Sequence, residues 1–194
     1  MNARLNHRLL LHAYANGYFP MPDPDTGEPL WYRPDPRAIL PLDSFHTSRS
    51  LEKTIKRGKF RTTINKDFSG VIHGCAARPE TWINEEFIAA YCDLHAKGHA
   101  HSVEVWLGDE LAGGLYGVSI GGAFFAESKF HRITDASKVA LHYLVQHMVT
   151  RGMSLLEVQF VTPHLARLGV VTVPEKKYES LLQKALVQKT SFTD

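Results

Sequence analysis

Three polar residues set in apolar strand-like runs are the first candidates for chemistry in this chain. Glu127 closes the run Ala123-Phe124-Phe125-Ala126, while Glu157 and Gln159 stand two apart within Leu155 to Val161. With a period of two, Glu157 and Gln159 share one strand face. Burying such groups beside apolar strands is costly unless they are paired or serve a ligand. A glutamate can orient an amine or accept its proton, and an uncharged glutamine can hydrogen-bond an attacking amine or a developing oxyanion. If the three converge, the chemistry is the handling of an amine; if they do not, they are ordinary surface groups of edge strands.

Other chemistries find less support. His99 and His101 could share a strand face as metal ligands do, but no third and fourth ligand is evident, so core or surface histidines are expected. Ser102 and Ser128 lack the elbow motif of an activated serine, and Cys75 has no evident partner. Neither a GxxxxGKS/T nor a GxGxxG element occurs, which argues against a nucleoside triphosphate or a dinucleotide. Lys53, Lys56, Arg57, Lys59 and Arg61 fall within nine residues and form the densest basic patch. It reads either as a solvated face or as a contact for phosphates.

The candidates must be positioned by the elements around them. Gly98 to Ser137 reads as a three-stranded antiparallel meander, with turns at Gly108-Asp109-Glu110 and at Ser119 to Gly122, followed by a helix capped by Thr134 or Asp135 and stopped at Arg151-Gly152. Upstream, Leu5, Leu9, Leu10 and Ala13 predict a short helix ended by Gly17. Seven of the chain's 10 prolines then fall between Tyr18 and Asp43, which predicts a rigid, wrapped loop segment. Thr62 to Ile64 reads as a strand, and Asn65 and Asn84 as caps of two helices. After the meander, Leu155 to Val161 reads as a strand, Pro163 opens a short helix, Val170 to Val173 is a strand, and Pro174 opens a last helix. The tail after Gln188 is expected to fray.

Composition bounds the class. The chain has 194 residues, 44% hydrophobic and 22% charged, enough for a real core in one domain with an appendage or in two small lobes. A formal charge of +2 leaves any nucleic-acid contact to local clusters. Two cysteines without CxxC spacing suggest neither disulfides nor a zinc knuckle, and a reducing, cytoplasmic setting is expected. The first residues have no long apolar run and no stretch approaches a membrane span, so secretion and membrane insertion are disfavoured.

Several stretches taken together resemble one family, the leucyl/phenylalanyl-tRNA–protein transferases. They are GYFP (17–20), WYRPDPRAIL (31–40), SFHTSRS (44–50), TWI (81–83), GHAHSVEVW (98–106), GGLYGV (113–118), ASK (136–138) and HLARLG (164–169). The resemblance implies an α+β, GNAT-like acyltransferase fold, a mixed and mainly antiparallel sheet flanked by helices. It divides the chain into a small N-terminal lobe over 1–60 and a catalytic domain over 61–194. It implies transfer of Leu, Phe or Met from aminoacyl-tRNA to the N-terminal α-amine of proteins that begin with Arg or Lys, which marks them for degradation. Neither a cofactor nor a metal is implied, and a monomer is expected.

Carried over by position, the resemblance implies catalytic roles for Glu157, Gln159 and Glu127. Gln159 would position the amine or the reacting carbonyl, Glu157 would orient Gln159, and Glu127 would hold the donor's α-ammonium group. Trp82 matches the Trp that contacts the terminal adenosine; Leu115, Phe124 and Leu144 match the apolar amino-acid pocket, and Ser137 and Thr162 complete the substrate-binding set. Arg49, Lys53, Lys56, Arg57, Lys59 and Arg61 would meet tRNA phosphates. The chain departs from the family pattern at Glu157-Val158-Gln159 (usually Asp-Cys-Gln), Met21 (Trp), Lys129 (apolar), Thr162 (Asn) and Arg167 (small). Competing readings are another GNAT-like acyltransferase, for which the CoA pyrophosphate loop is missing, and a non-catalytic binding module for tRNA or N-degrons.

Overall fold

A computed structural model describes residues 5–78 and 81–193. The elements run α1 (His7–Ala15), β1 (Phe19–Pro22), β2 (Pro29–Tyr32), β3 (Arg37–Ile39), α2 (Arg49–Lys56), β4 (Arg61–Ile64), α3 (Phe68–Ala76) and α4 (Glu85–Ala96). They continue as β5 (Ala100–Leu107), β6 (Glu110–Ile120), β7 (Ala123–His131), α5 (Ala136–Thr150), β8 (Leu155–Gln159), α6 (Pro163–Ala166), β9 (Val171–Val173) and α7 (Glu175–Leu186). A seven-stranded sheet in the order β4-β5-β6-β7-β8-β3-β9 forms the middle layer. The meander is β5-β6-β7, as its turns predict. Among the described residues only β7 and β8 pair in parallel, because α5 carries the chain back to the edge from which β7 began. The fold is mixed α+β with a mainly antiparallel sheet.

Each face of the sheet has its own core. On one, Tyr14 of α1, Val71 and Ile72 of α3, Phe87 and Tyr91 of α4, and Tyr178 and Leu182 of α7 pack together. On the other, Leu51 of α2, Leu141, Leu144 and Met148 of α5, and Phe192 pack over Val103, Val105, Leu115 and Phe124. Leu51 anchors an otherwise charged helix, and full burial of one such side chain contributes about 1.5–3 kcal/mol.

Four local expectations need correction. The proline-rich stretch is not loop: Phe19–Pro22 and Pro29–Tyr32 pair as an antiparallel hairpin, and Arg37–Ile39 lies between β8 and β9. Proline is tolerated at such hairpin and strand-start positions because few of its neighbours need its missing N–H. The cap of α3 is Asp67, which accepts from Gly70 N at 2.8 Å; Asn65, at φ 56°, instead bonds His101 and the Ser102 N–H. Asp135 stands at the start of α5 with φ 71° and makes no side-chain cap, because Lys138 and Thr54 already engage its two oxygens. The tail does not fray where expected, since Phe192 is buried and stacks on His101 at 4.6 Å and Phe124 at 4.9 Å.

Candidate active site

The parallel pairing of β7 with β8 stops at Phe125↔Glu157. Beyond it a bulge interrupts β7: Gly117 of β6 faces Ala126 and Tyr116 faces Ser128, so Glu127 has no partner in the ladder. Gly117 permits the close approach, since a Cβ there would collide with the Phe125 carbonyl. On the other strand Gln159 ends β8 with φ 65°, a left-handed backbone that is unfavourable for this residue type and that recurs at functional sites. The two departures bring Gln159 Nε2 to 3.2 Å from Glu127 Oε2, to which it donates.

What holds these groups lies behind them. Glu157 Oε1 accepts the Gln159 backbone N–H at 2.6 Å and faces Arg37 Nη1 at 3.4 Å, with Glu157 and Arg37 each about 1% exposed. Arg37 also donates to the Gly17 carbonyl and lies over the ring of Tyr178 at 4.4 Å. Burial pushes the Glu157 carboxyl above its usual range, opposed by the Arg37 charge. Glu127 has no cation among the described residues. Its Oε2 accepts from Tyr91 Oη at 3.0 Å, Tyr91 in turn meets Tyr14 Oη at 2.6 Å, and its Oε1 is buried without a hydrogen-bond partner. Burial therefore raises the Glu127 carboxyl to about 8, and the nearby Glu157 adds to the rise.

A cavity of about 330 Å3 opens in front of this pair. Of the residues expected at the site, Glu127, Gln159, Trp82, Leu115 and Thr162 line it, along with Met21, Leu141, Val158, Phe160 and Lys129. Thr162 also caps α6 by accepting from Leu165 N at 3.2 Å. Glu157 stands behind Gln159 and does not line the cavity. Phe124 and Leu144 are fully buried in the core over α5. Ser137 opens onto a neighbouring cavity, where its hydroxyl lies 3.4 Å from His131 Nδ1. Arg49, Lys53, Lys56, Arg57, Lys59 and Arg61 are all exposed, on α2 and just beyond it. His101 is buried against Asn65, and no group of three or more His, Cys, Asp or Glu among the described residues is placed to hold a metal.

Three functional-looking residues were missed in the sequence. Arg37 leaves a signal, a cation at the head of the apolar run Ala38-Ile39-Leu40. Tyr14 and Tyr91 look like core aromatics on amphipathic helices; only the tendency of a buried tyrosine hydroxyl to find a partner could have marked them.

An α+β protein with a small, mostly apolar cavity closed by a carboxyl and an amide is built to receive a ligand with both an apolar part and an amine or a hydrogen-bonding head. The family described as leucyl/phenylalanyl-tRNA protein transferase matches residues 39–183, and its N-terminal domain matches residues 4–35. Curated relatives that bear the name leucyl/phenylalanyl-tRNA–protein transferase include one from Ruegeria sp., 52% identical over 97% of this chain and 90% of its own. Others are from Salinibacter ruber, 51% identical over 92% and 79% of the two chains, and Chlorobium limicola, 51% over 94% and 96%. This chain belongs to the leucyl/phenylalanyl-tRNA–protein transferase family. Among solved structures it is similar to L-PGS from Bacillus licheniformis at 13% identity and a TM-score of 0.44, over 83% of this chain and 55% of that one, which is too slight to define kinship of fold. No helix among the described residues is long and apolar enough to cross a membrane.

Proposed function

We propose that this protein transfers Leu, Phe or Met from aminoacyl-tRNA to the N-terminal α-amine of proteins that begin with Arg or Lys, marking them for degradation. The observation that carries the reading is the Gln159–Glu127 contact at 3.2 Å in a mostly apolar cavity. Because the Gln159 NH2 is turned to Glu127, its carbonyl oxygen is left to accept an N–H of the attacking amine. Glu127, with a buried unpartnered oxygen and no cation, receives the α-ammonium of the donor amino acid, whose charge favours the ionised carboxyl. Glu157, tied to Arg37, holds the backbone of Gln159 and acts as a positioning residue.

In the reaction the acceptor nitrogen attacks the ester carbonyl, the ester C–O bond breaks, and the amine proton passes to the terminal ribose oxygen of the tRNA. A protein α-amine, with a pKa of about 7.7–8.0, is partly neutral near pH 7, so alignment of the two substrates takes the place of a strong base. Leu115, Leu141 and Val158 form the floor for the apolar side chain, with Phe124 and Leu144 supporting it from the core, and Trp82 offers a ring to the terminal base. The exposed cations from Arg49 to Arg61 meet the tRNA body. The reading carries a GNAT-like fold, a lobe over 1–60 that shares β3 with the domain over 61–194, a cytoplasmic location and a monomer.

The test is transfer of labelled Leu or Phe from aminoacyl-tRNA to peptides that differ only in the N-terminal residue, with acyl-CoA in parallel. Transfer confined to Arg and Lys peptides is expected. Turnover from acyl-CoA would move the protein to another acyltransferase class, and tRNA binding without turnover would make it a binding module.

A further inference from the structure

A second cavity, of about 750 Å3, adjoins the first and shares Arg78 and Lys129 with it as a common wall. It is also lined by Arg132 just past β7, Lys138 on α5, and the imidazoles of His131 and His164. Four Arg or Lys side chains thus face it, against one acid, Asp135. That acid is already engaged, since Oδ1 pairs with Lys138 at 2.8 Å and Oδ2 accepts from Thr54 at 3.2 Å. Arg78, Lys129 and Arg132 have no ion pair among the described residues. Burial and the nearby Arg78 both lower the Lys129 pKa, as expected of an ammonium crowded by cations without an anion.

We propose that this second cavity is a binding site for the single-stranded phosphodiester backbone leading to the donor's aminoacylated 3′ nucleotide. The inference rests on the transfer reading above and extends it. The Thr54–Asp135 bond joins the cavity to α2, and Lys59, just beyond that helix, is near enough for its charge to act on Asp135, so the exposed cations of this stretch adjoin the cavity that shares a wall with the transfer cavity. Cations spaced along a path match a backbone that carries one charge per nucleotide. A basic N-terminal side chain of the acceptor would be repelled from the same walls, so the cavity belongs to the donor. Lys129, which departs from the family's apolar residue, puts a charge at the junction of the two cavities; there it would meet the last phosphate.

Arg132 and Lys138 line the second cavity and not the first, so the double variant Arg132→Gln/Lys138→Gln tests the assignment. KM is measured for leucyl-tRNA and for leucyl-adenosine, which carries the ester but no phosphate. The KM for leucyl-tRNA is expected to rise roughly tenfold more than that for leucyl-adenosine, and the salt slope to flatten by about 1.4 for two lost contacts to a single strand. Arg132→Lys/Lys138→Arg, which keeps both charges, should retain the wild-type KM. An equal change with both donors, a change confined to the peptide acceptor, or no change would each overturn the proposal. If the wild-type protein transfers from neither donor, the transfer reading fails on its own. Fluorescence anisotropy with an uncharged CCA-ended oligoribonucleotide then decides the cavity's role: roughly tenfold weaker binding by the Gln variant supports it, and equal binding overturns it.

Discussion

Glu157 and Glu127 sit on neighbouring strands and are both buried, yet their surroundings differ in kind. Glu157 faces a guanidinium and a backbone N–H, so both of its favourable interactions are with its own chain. Glu127 faces a tyrosine hydroxyl and an amide, with one oxygen unpartnered and the cavity in front. Two carboxyls of near-identical chemistry are thereby given different work: one is neutralised by the fold, and the other is left for a cation that arrives with a substrate. Compensation by the protein makes a support, and its omission makes a receptor.

The contrast breaks most severely at Arg37. Arg37→Ala would strand the Glu157 carboxylate in the interior, with an expected loss of about 3–5 kcal/mol in denaturant unfolding, and transfer should fall with it. A loss below about 1 kcal/mol would mean that Glu157 does not depend on its ion pair. Glu127→Gln keeps shape and removes the charge that meets the ammonium. Transfer should drop about a hundredfold while the fold survives, and wild-type turnover would remove Glu127 from donor binding.

The same variant sharpens the comparison through pH. Glu127 is raised from 4.5 to about 8 in the folded protein, so the native state holds a proton that the unfolded chain releases. Stability from this group is fully present below 4.5 and is lost as pH rises to about 8. Unfolding free energies measured across that window should fall with pH in the wild type and fall less in Glu127→Gln. Parallel curves would show that Glu127 is not the titrating group. The smallest effect is expected from Tyr91→Phe, which removes one hydrogen bond to Glu127 and costs about 1 kcal/mol while shifting the same pH curve upward; an unmoved curve would uncouple Tyr91 from Glu127.

How much of this was legible follows from the range of the interactions. The meander and most helices show in the sequence because their periodicity and turns are local, and Glu127, Glu157 and Gln159 stand out because polar residues interrupt apolar runs. The hairpin and β3 do not, since proline density masks strands whose partners are distant in the chain. Phe124 and Leu144 look the same as cavity residues in a one-dimensional pattern, because a core wall and a pocket wall have the same apolar composition. Tyr14, Tyr91 and Arg37 join the site only through contacts between residues 36 to 120 positions apart, such as Tyr91 with Glu127 and Arg37 with Glu157. Only Arg37, a cation at the head of an apolar run, leaves a local trace of this.

The position of β3 between β8 and β9 also governs assembly in time. A strand drawn from residues 37–39 must be held open until strands from residues 155–173 arrive on both of its sides, a long closure that topology makes slow. Arg37 rides on that strand, so Glu157 gains its counter-charge, and Gln159 its fixed backbone, only when the sheet is complete. A half-assembled molecule is therefore an inactive one, and the catalytic geometry doubles as a mark of finished folding.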